Sequence, residues 1–400
     1  MKKFHIVKES LLAALLTLII TYGVSFIPLK YEFSKAIRQE FLGFDIYDLY
    51  YTGKHIKNTK RDDSVILVEI GESRAAIADQ INLIEKYDPS VIGIDAVFDR
   101  EGNALENAGF VSTINQYKNI VFGKKYSIDS LTKQPVLIGN FFEKGSRLYS
   151  SGYINFLGNQ FSVIRNYPPF LRTVDSLYPS FTSAIIAKFS SGKYEKLKER
   201  KRQAEIINYQ GNIENYSSLT ALQLNYFDST GQLSSLLTDK IVLMGYFVKN
   251  PPFVLEDLHF SPLNEQMAGK SFPDMYGVVI HANILSMIIS SCYAKEASIA
   301  VSYLLAGLII TFFLYYIISK HKQGRHPSHG KFLLVQFLLI VVILYVFLMI
   351  FNWFLIKIPL LPIMIALVLC LELFGLYKII ALWLHKKFNY TTVFSHKHAV

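Results

Sequence analysis

The chain has 400 residues, 51% of them hydrophobic, and a formal net charge of +10. This length accommodates one or two folded units, and a mean hydropathy of +0.28 is high for a soluble enzyme. Only 12 of the 41 basic residues and 2 of the 31 acidic ones lie outside residues 29–297, so that interval balances at 29 against 29 and the excess positive charge belongs to the flanks of apolar segments. Basicity of this kind marks a membrane surface and excludes nucleic acid as the partner.

The first nine residues carry three lysines and one glutamate, and an apolar run from Leu11 to Leu29 follows. The run is long for the core of a signal peptide and no small-residue cleavage site follows it, so we read an uncleaved anchor over 10–29. Three more apolar runs are expected to span over 297–319, 332–353 and 358–384, each near the roughly 20 residues that a bilayer requires. Four basic residues and no acid occupy the loop 320–331, and three lysines and no acid lie in the tail 385–400. Positive-inside bias therefore places residues 1–9, this loop and the tail in the cytoplasm, and residues 30–296 outside. Trp353 and Trp383 suit interfacial belts.

Within the external segment, Val65–Ile70 reads as a buried strand, and Ile77, Ile81 and Ile84 mark one face of a helix. Asp88-Pro89-Ser90 stops that helix, and "VIGID" is a second strand, parallel to the first. Further strands are expected at 120–126, 136–142, 154–156 and 162–167, with Gly158-Asn159 as a hairpin turn. A helix opens at Tyr178-Pro179-Ser180, and Lys193 to Gln203 forms a solvated helix end or loop. "EIINYQG" and "DKIVLMGYF" are two more buried strands, and "GVVIHANILSMII" is a helix leading to the second span. The fold class is α/β, a mixed-sheet extracytoplasmic domain on a four-helix transmembrane anchor. Cys292 and Cys370 are the only cysteines; one precedes a span and the other lies within one, which argues against a disulfide. No Cys-x-x-Cys pair or His-Glu-x-x-His occurs, so neither a metal nor a cofactor is expected.

Seven blocks, in order, resemble one family: "VILVEIGES", "VIGIDAVF", "GYINFLGNQFSVIRNYP", "INYQG", "KIVLMGYF", "LEDLHFSPL" and "GVVIHANIL". The resemblance, over about 62–292, is to the second type of CHASE domain, the extracytoplasmic sensory module of bacterial cyclases and histidine kinases. One span before the domain and three after it is also that family's plan. The sequence departs in lacking a Trp/Pro/Arg-containing stretch in "RAAIADQ" and in having Glu69 and Glu72 where aspartate is common. The resemblance implies a sensing role in the bacterial inner membrane.

Among candidate site residues, Glu69, Glu72, Asp95 and Asp99, with Asp257, gather carboxylates at strand ends, where open α/β sheets bind ligands. They suit a cation, an amine or a sugar, or acid–base chemistry; the alternative is helix capping and loop bracing. Arg165 and Asn208 are candidate partners for them. His281 and Asn283 are two apart on a helix and point to different faces, so each is expected to be a hydrogen-bonded structural group. Ser73 of "GES" lacks a nucleophile elbow and reads as a cap. Glu372 lies inside the fourth span and is expected to face other helices or water, with Gln336, Thr311 or Tyr315 as internal partners, or else a partner protein's helix. The leading expectation is a membrane sensor, not an enzyme, that detects an extracytoplasmic ligand. Because about 16 residues follow the last span, it is expected to act through a membrane partner or as a homo-oligomer. The alternatives are a docking subunit of an envelope complex and a membrane-anchored hydrolase using Glu69, Glu72 and Asp95.

Overall fold

The computed structural model describes residues 2–25, 45–57, 61–128, 135–143, 149–156, 162–172, 176–248, 257–264, 272–323 and 329–395. The chain divides into two compact units, residues 40–294 and residues 1–39 with 295–400.

The first unit is built on a seven-stranded sheet. Its strands are β1 (Asp62–Glu69), β2 (Val91–Ile94), β3 (Ile120–Ile128), β4 (Pro135–Ile138), β5 (Ser150–Tyr153), β10 (Tyr216–Leu219) and β11 (Ile241–Gly245). Three small antiparallel pairs lie beside it: β6 (Asn166–Tyr167) with β9 (Glu205–Ile206), β7 (Phe170–Arg172) with β8 (Leu177–Pro179), and β12 (Leu258–His259) with β13 (Met275–Tyr276). The order β10-β1-β11-β2-β3 is parallel throughout; β5 joins β3 parallel and β4 joins it antiparallel. A sheet covered on both faces reads as continuous apolar sequence, and Val65 to Val68 and Ile241 to Met244 are all at most 1% exposed. On one face, Ile66, Val68, Ile92, Ile94, Val242 and Met244 pack with Ile77, Ile81 and Ile84 of the helix Arg74–Glu85, with Phe110 and Ile114, and with Leu224, Leu233 and Leu237. The helices Phe181–Phe189 and Gly277–Ser290 cover the other face. Gly152 permits this packing: a Cβ there would stand 2.4 Å from the Ser180 carbonyl oxygen, just where Ser180 caps the helix Phe181–Phe189.

The first two strands are parallel as expected, but β11 lies between them. Its five residues are all buried, and a run with no polar face belongs at the centre of a sheet. The strand expected at 154–156 is instead β5, four residues earlier, and that expected over 162–167 contracts to β6. "EIINYQG" yields only β9, while β10 was not anticipated from "YSSL". Lys193 to Gln203 overlaps the helix Ser191–Glu199. The Gly158-Asn159 turn lies outside the described residues.

Among its described residues, the second unit contains four helices long and apolar enough to cross a membrane, Phe4–Val24, Ile299–Lys322, His329–Phe354 and Leu361–Phe388. Small residues at their seam, Ala13, Ala14, Ala306 and Ala366, are at most 3% exposed; such residues let helices approach closely in lipid. The first helix begins earlier than the 10–29 expected, and this brings Glu9 into the bundle. Glu9 is 0% exposed and accepts hydrogen bonds from the Tyr377 hydroxyl at 2.5 Å and the Tyr390 hydroxyl at 3.4 Å. Gln336 donates to the Leu367 carbonyl rather than to Glu372. Glu372 points out of the bundle, its side chain 74% exposed, with His329 Nε2 3.8 Å away. Of the internal partners expected for it, Gln336 is satisfied by backbone instead, and the carboxylate lies on the outer surface beside His329.

Candidate functional site

Parallel strands converge on one edge of the sheet, and a cavity of about 800 Å³ opens there. Asp95 follows β2, Tyr246 follows β11, and Ile154, Asn155 and Phe156 follow β5. Lys125 comes from β3, Asp257 and His259 from the approach to and end of β12, and Gly277, Val278 and His281 from the helix that β13 feeds. The backbone N–H of Asp95 donates to the Met244 carbonyl at 2.8 Å, which continues the ladder one residue beyond β2 and fixes this carboxyl group. The rings of Phe156 and Phe181 pack on His281, at 4.7 and 5.2 Å between centroids, and Phe156 in turn meets His259 at 5.3 Å.

Burial sets the charges. The Asp95 carboxyl is pushed up to about 7, chiefly by burial and further by the neighbouring Asp257 charge. Burial drives His281 down to about 3; His259 adds to the effect and the Ile154 backbone opposes it. His259 is also lowered by burial. At neutral pH both imidazoles are uncharged. His281 Nε2 lies 3.8 Å from Asp95 Oδ1, beyond hydrogen-bond reach, and Nδ1 is buried without a hydrogen-bond partner. Among the described residues, no lysine or arginine pairs with Asp95 or Asp257, and no group of three or more His, Cys, Asp or Glu is arranged to hold a metal ion.

The expected acidic cluster divides. Asp95 and Asp257 share the cavity, whereas Glu69, Glu72 and Asp99 do not line it. Glu69 ends β1, the strand beside β11, and Glu72 precedes the Ser73 cap, whose hydroxyl accepts from Ala76 N at 3.1 Å. Neither Arg165 nor Asn208 serves the acids. Arg165 forms a two-point pair with Asp48, Nε to Oδ1 at 2.9 Å and Nη2 to Oδ2 at 2.5 Å. The Asn208 amide donates to the Cys292 carbonyl at 3.0 Å. Asn283 ties a helix to a loop: its Oδ1 accepts from Gln210 N at 2.7 Å and Gly211 N at 3.3 Å, and its Nδ2 donates to the Gly211 and Val279 carbonyls, both at 2.9 Å. His281, expected as a structural group, also lines the cavity, because the first two turns of its helix form a wall there.

Sequence reasoning passed over Lys125, Phe156, Tyr246, His259 and Gly277 as site residues. All but Lys125 lie within the family-like blocks, so coincidence of a block with a strand end was the available signal. The chain matches the CHASE2 domain family over residues 21–318. It belongs to that family and is a membrane protein carrying an extracellular-type sensory domain. No curated protein and no solved structure matches it.

Proposed function

We propose that the protein is a sensor of the bacterial inner membrane, with both termini cytoplasmic and the 40–294 unit outside, and that a small solute in the Asp95 cavity is its stimulus. The observation that carries this reading is the cavity itself, in which two carboxylates and two neutral imidazoles converge at the strand ends of a sensory fold. Binding alters the arrangement of the transmembrane helices, and a partner reads the change. Glu372, exposed on an apolar helix, supports a membrane partner or a second copy, since a carboxylate facing lipid costs at least about 2.5 kcal/mol. The role is recognition rather than catalysis: of the three groups a hydrolase built on Glu69, Glu72 and Asp95 would use, Asp95 alone lines the cavity.

The test follows helix arrangement directly. A Cβ at Gly307 would lie 3.1 Å from Leu18 Cδ1, so Leu18→Cys with Gly307→Cys, in a chain without the native cysteines, crosslinks across two spans. Screening a small-solute library against the full chain in nanodiscs should identify a solute that raises Tm and changes the crosslinking rate. Gly277→Leu, which fills the cavity towards His259, Phe156 and Asp95, should abolish both. A response that persists in a folded Gly277→Leu protein would sink the reading. If no solute alters either readout, docking becomes the better description.

A further inference from the structure

The ligand's chemistry can be argued from the same cavity, and this rests on the sensor reading above. The cavity, about 800 Å³, falls within the ordinary range for small-molecule sites, roughly 300–1,000 Å³. Its charge is lopsided. The side chain of Asp95 is 12% exposed, with the neutral His281 ring 3.8 Å away, and Asp257 adds repulsion. Among the described residues lining the cavity the cationic side chain is Lys125, which is exposed, and His259 and His281 are held neutral near pH 7. Buried carboxylates ordinarily have paired cations. Here that counter-charge is missing among the described residues.

A second observation points the same way. His281, with its side chain only 5% exposed, lines the cavity with the Ile154 backbone against its ring, yet among the described residues Nδ1 has no hydrogen-bond partner and Nε2 stops 3.8 Å short of Asp95. Such a buried, half-made contact wants a group that completes it. A bare metal ion does not fit: no three-ligand group is present among the described residues, and hard cations take six or more oxygens. Aromatic walls favour a cation that carries carbon. Phe156 and Tyr246 line the space, and a ring face attracts an ammonium group. Gly277 leaves room among them, since a Cβ there would lie 3.6 Å from His259 Nε2 and 3.9 Å from Asp95 Oδ2.

We propose that the cavity binds an organic ammonium ion, a small amine whose charged nitrogen rests against Asp95 and Asp257 and whose carbon chain lies on Phe156 and Tyr246. Binding favours the ionised Asp95, so uptake of the amine releases a proton below neutral pH. Among the described residues, Asp257, Tyr246, His259, His281 and Lys125 are the other titratable groups lining the cavity; burial lowers both histidines, which opposes their protonation as pH falls.

Full-length protein in nanodiscs is titrated with n-butylamine and 1,4-diaminobutane, with 1-butanol, butyrate and magnesium chloride as controls, and Tm is recorded. Both amines should raise Tm at concentrations at least about tenfold below the alcohol. Affinity should increase up to about tenfold per pH unit towards pH 7 and level off above it. Asp95→Asn should weaken amine binding at least tenfold and flatten this profile; should that variant not fold, Asp257→Asn carries the same comparison. Equal shifts with butanol, stronger ones with butyrate or magnesium, or undiminished amine binding in the folded variant would overturn the assignment. Amine binding without a change in Leu18–Gly307 crosslinking overturns sensing but leaves the ammonium site standing. A crosslinking response to butyrate that Gly277→Leu removes does the reverse.

Discussion

Asn283 uses both ends of its amide to hold the backbone of Gln210 and Gly211 against the helix Gly277–Ser290. Asn283→Ala removes the bonds to the buried Gly211 carbonyl and N–H and to the part-buried Gln210 N–H, each worth about 1–3 kcal/mol when a buried group is stranded, although relaxation recovers part of this. A loss of about 2–4 kcal/mol is expected, read as a lower urea midpoint for the full chain in micelles. Asp95 and His281 make a prediction of opposite signs. Asp95 binds its proton more tightly folded than unfolded, about 7 against 3.8, so it adds stability as pH falls from 7 to 4. His281 binds its proton less tightly folded, about 3 against 6.5, so its share is present above 6.5 and lost as pH falls towards 3. The two oppose each other in the wild type. Asp95→Asn should therefore lose stability on acidification from pH 6.5 to 4, and His281→Gln should gain it from pH 7 to 4; parallel melting profiles for the two variants would contradict the assignment. Asp95 was legible in the sequence because a carboxylate after an apolar strand has few other roles. That His281 also lines the cavity was not legible, because helix periodicity says that two residues face apart, not which face meets a cavity.

Among the elements, the helix Phe181–Phe189 shows how closely local signals can cooperate. Ser180 caps it, and Ser183 Oγ bonds the Pro169 carbonyl at 2.8 Å. Gly152 admits it to the sheet. Gly152→Ala places a methyl group against fixed backbone rather than a side chain that can swing away, so at least about 1–3 kcal/mol of overpacking is expected. Protease resistance of the 40–294 unit should fall accordingly, and an unchanged digestion profile would show that the helix can retreat. The cap and the helix were both readable beforehand, since Ser before an apolar 3.6-residue pattern is a local signal. Strand order was not. Insertion of β11 between β1 and β2 joins residues about 150 positions apart, and no local pattern encodes which of several apolar strands becomes central. The short edge strand β10, with two serines at its centre, carries too little periodicity to stand out.

For the whole molecule, the charge asymmetry around the spans is the feature to test. Reporter fusions after Gly324 and in the tail should read as cytoplasmic, and one at Gly192 as external. An external reading after Gly324 would invert the spans and move the cavity away from extracytoplasmic solutes. The four spans were legible from hydropathy because no other structure uses such long apolar runs. The interior place of Glu9 was not, because a lone acid beside Lys8 looks like part of a polar flank until the tyrosines that receive it are found far along the chain.

That pairing has a consequence for biogenesis. Glu9 and Tyr377 are separated by 368 positions in the chain. At about 5–20 residues per second, translation leaves the carboxylate without its tyrosines for roughly 20 to 70 seconds after it emerges. During that interval the first helix has a reason to lie shallow, with Glu9 in the headgroup layer, and to sink only when the last helix arrives. Assembly of the bundle is thereby ordered in time, its earliest segment completed by its latest.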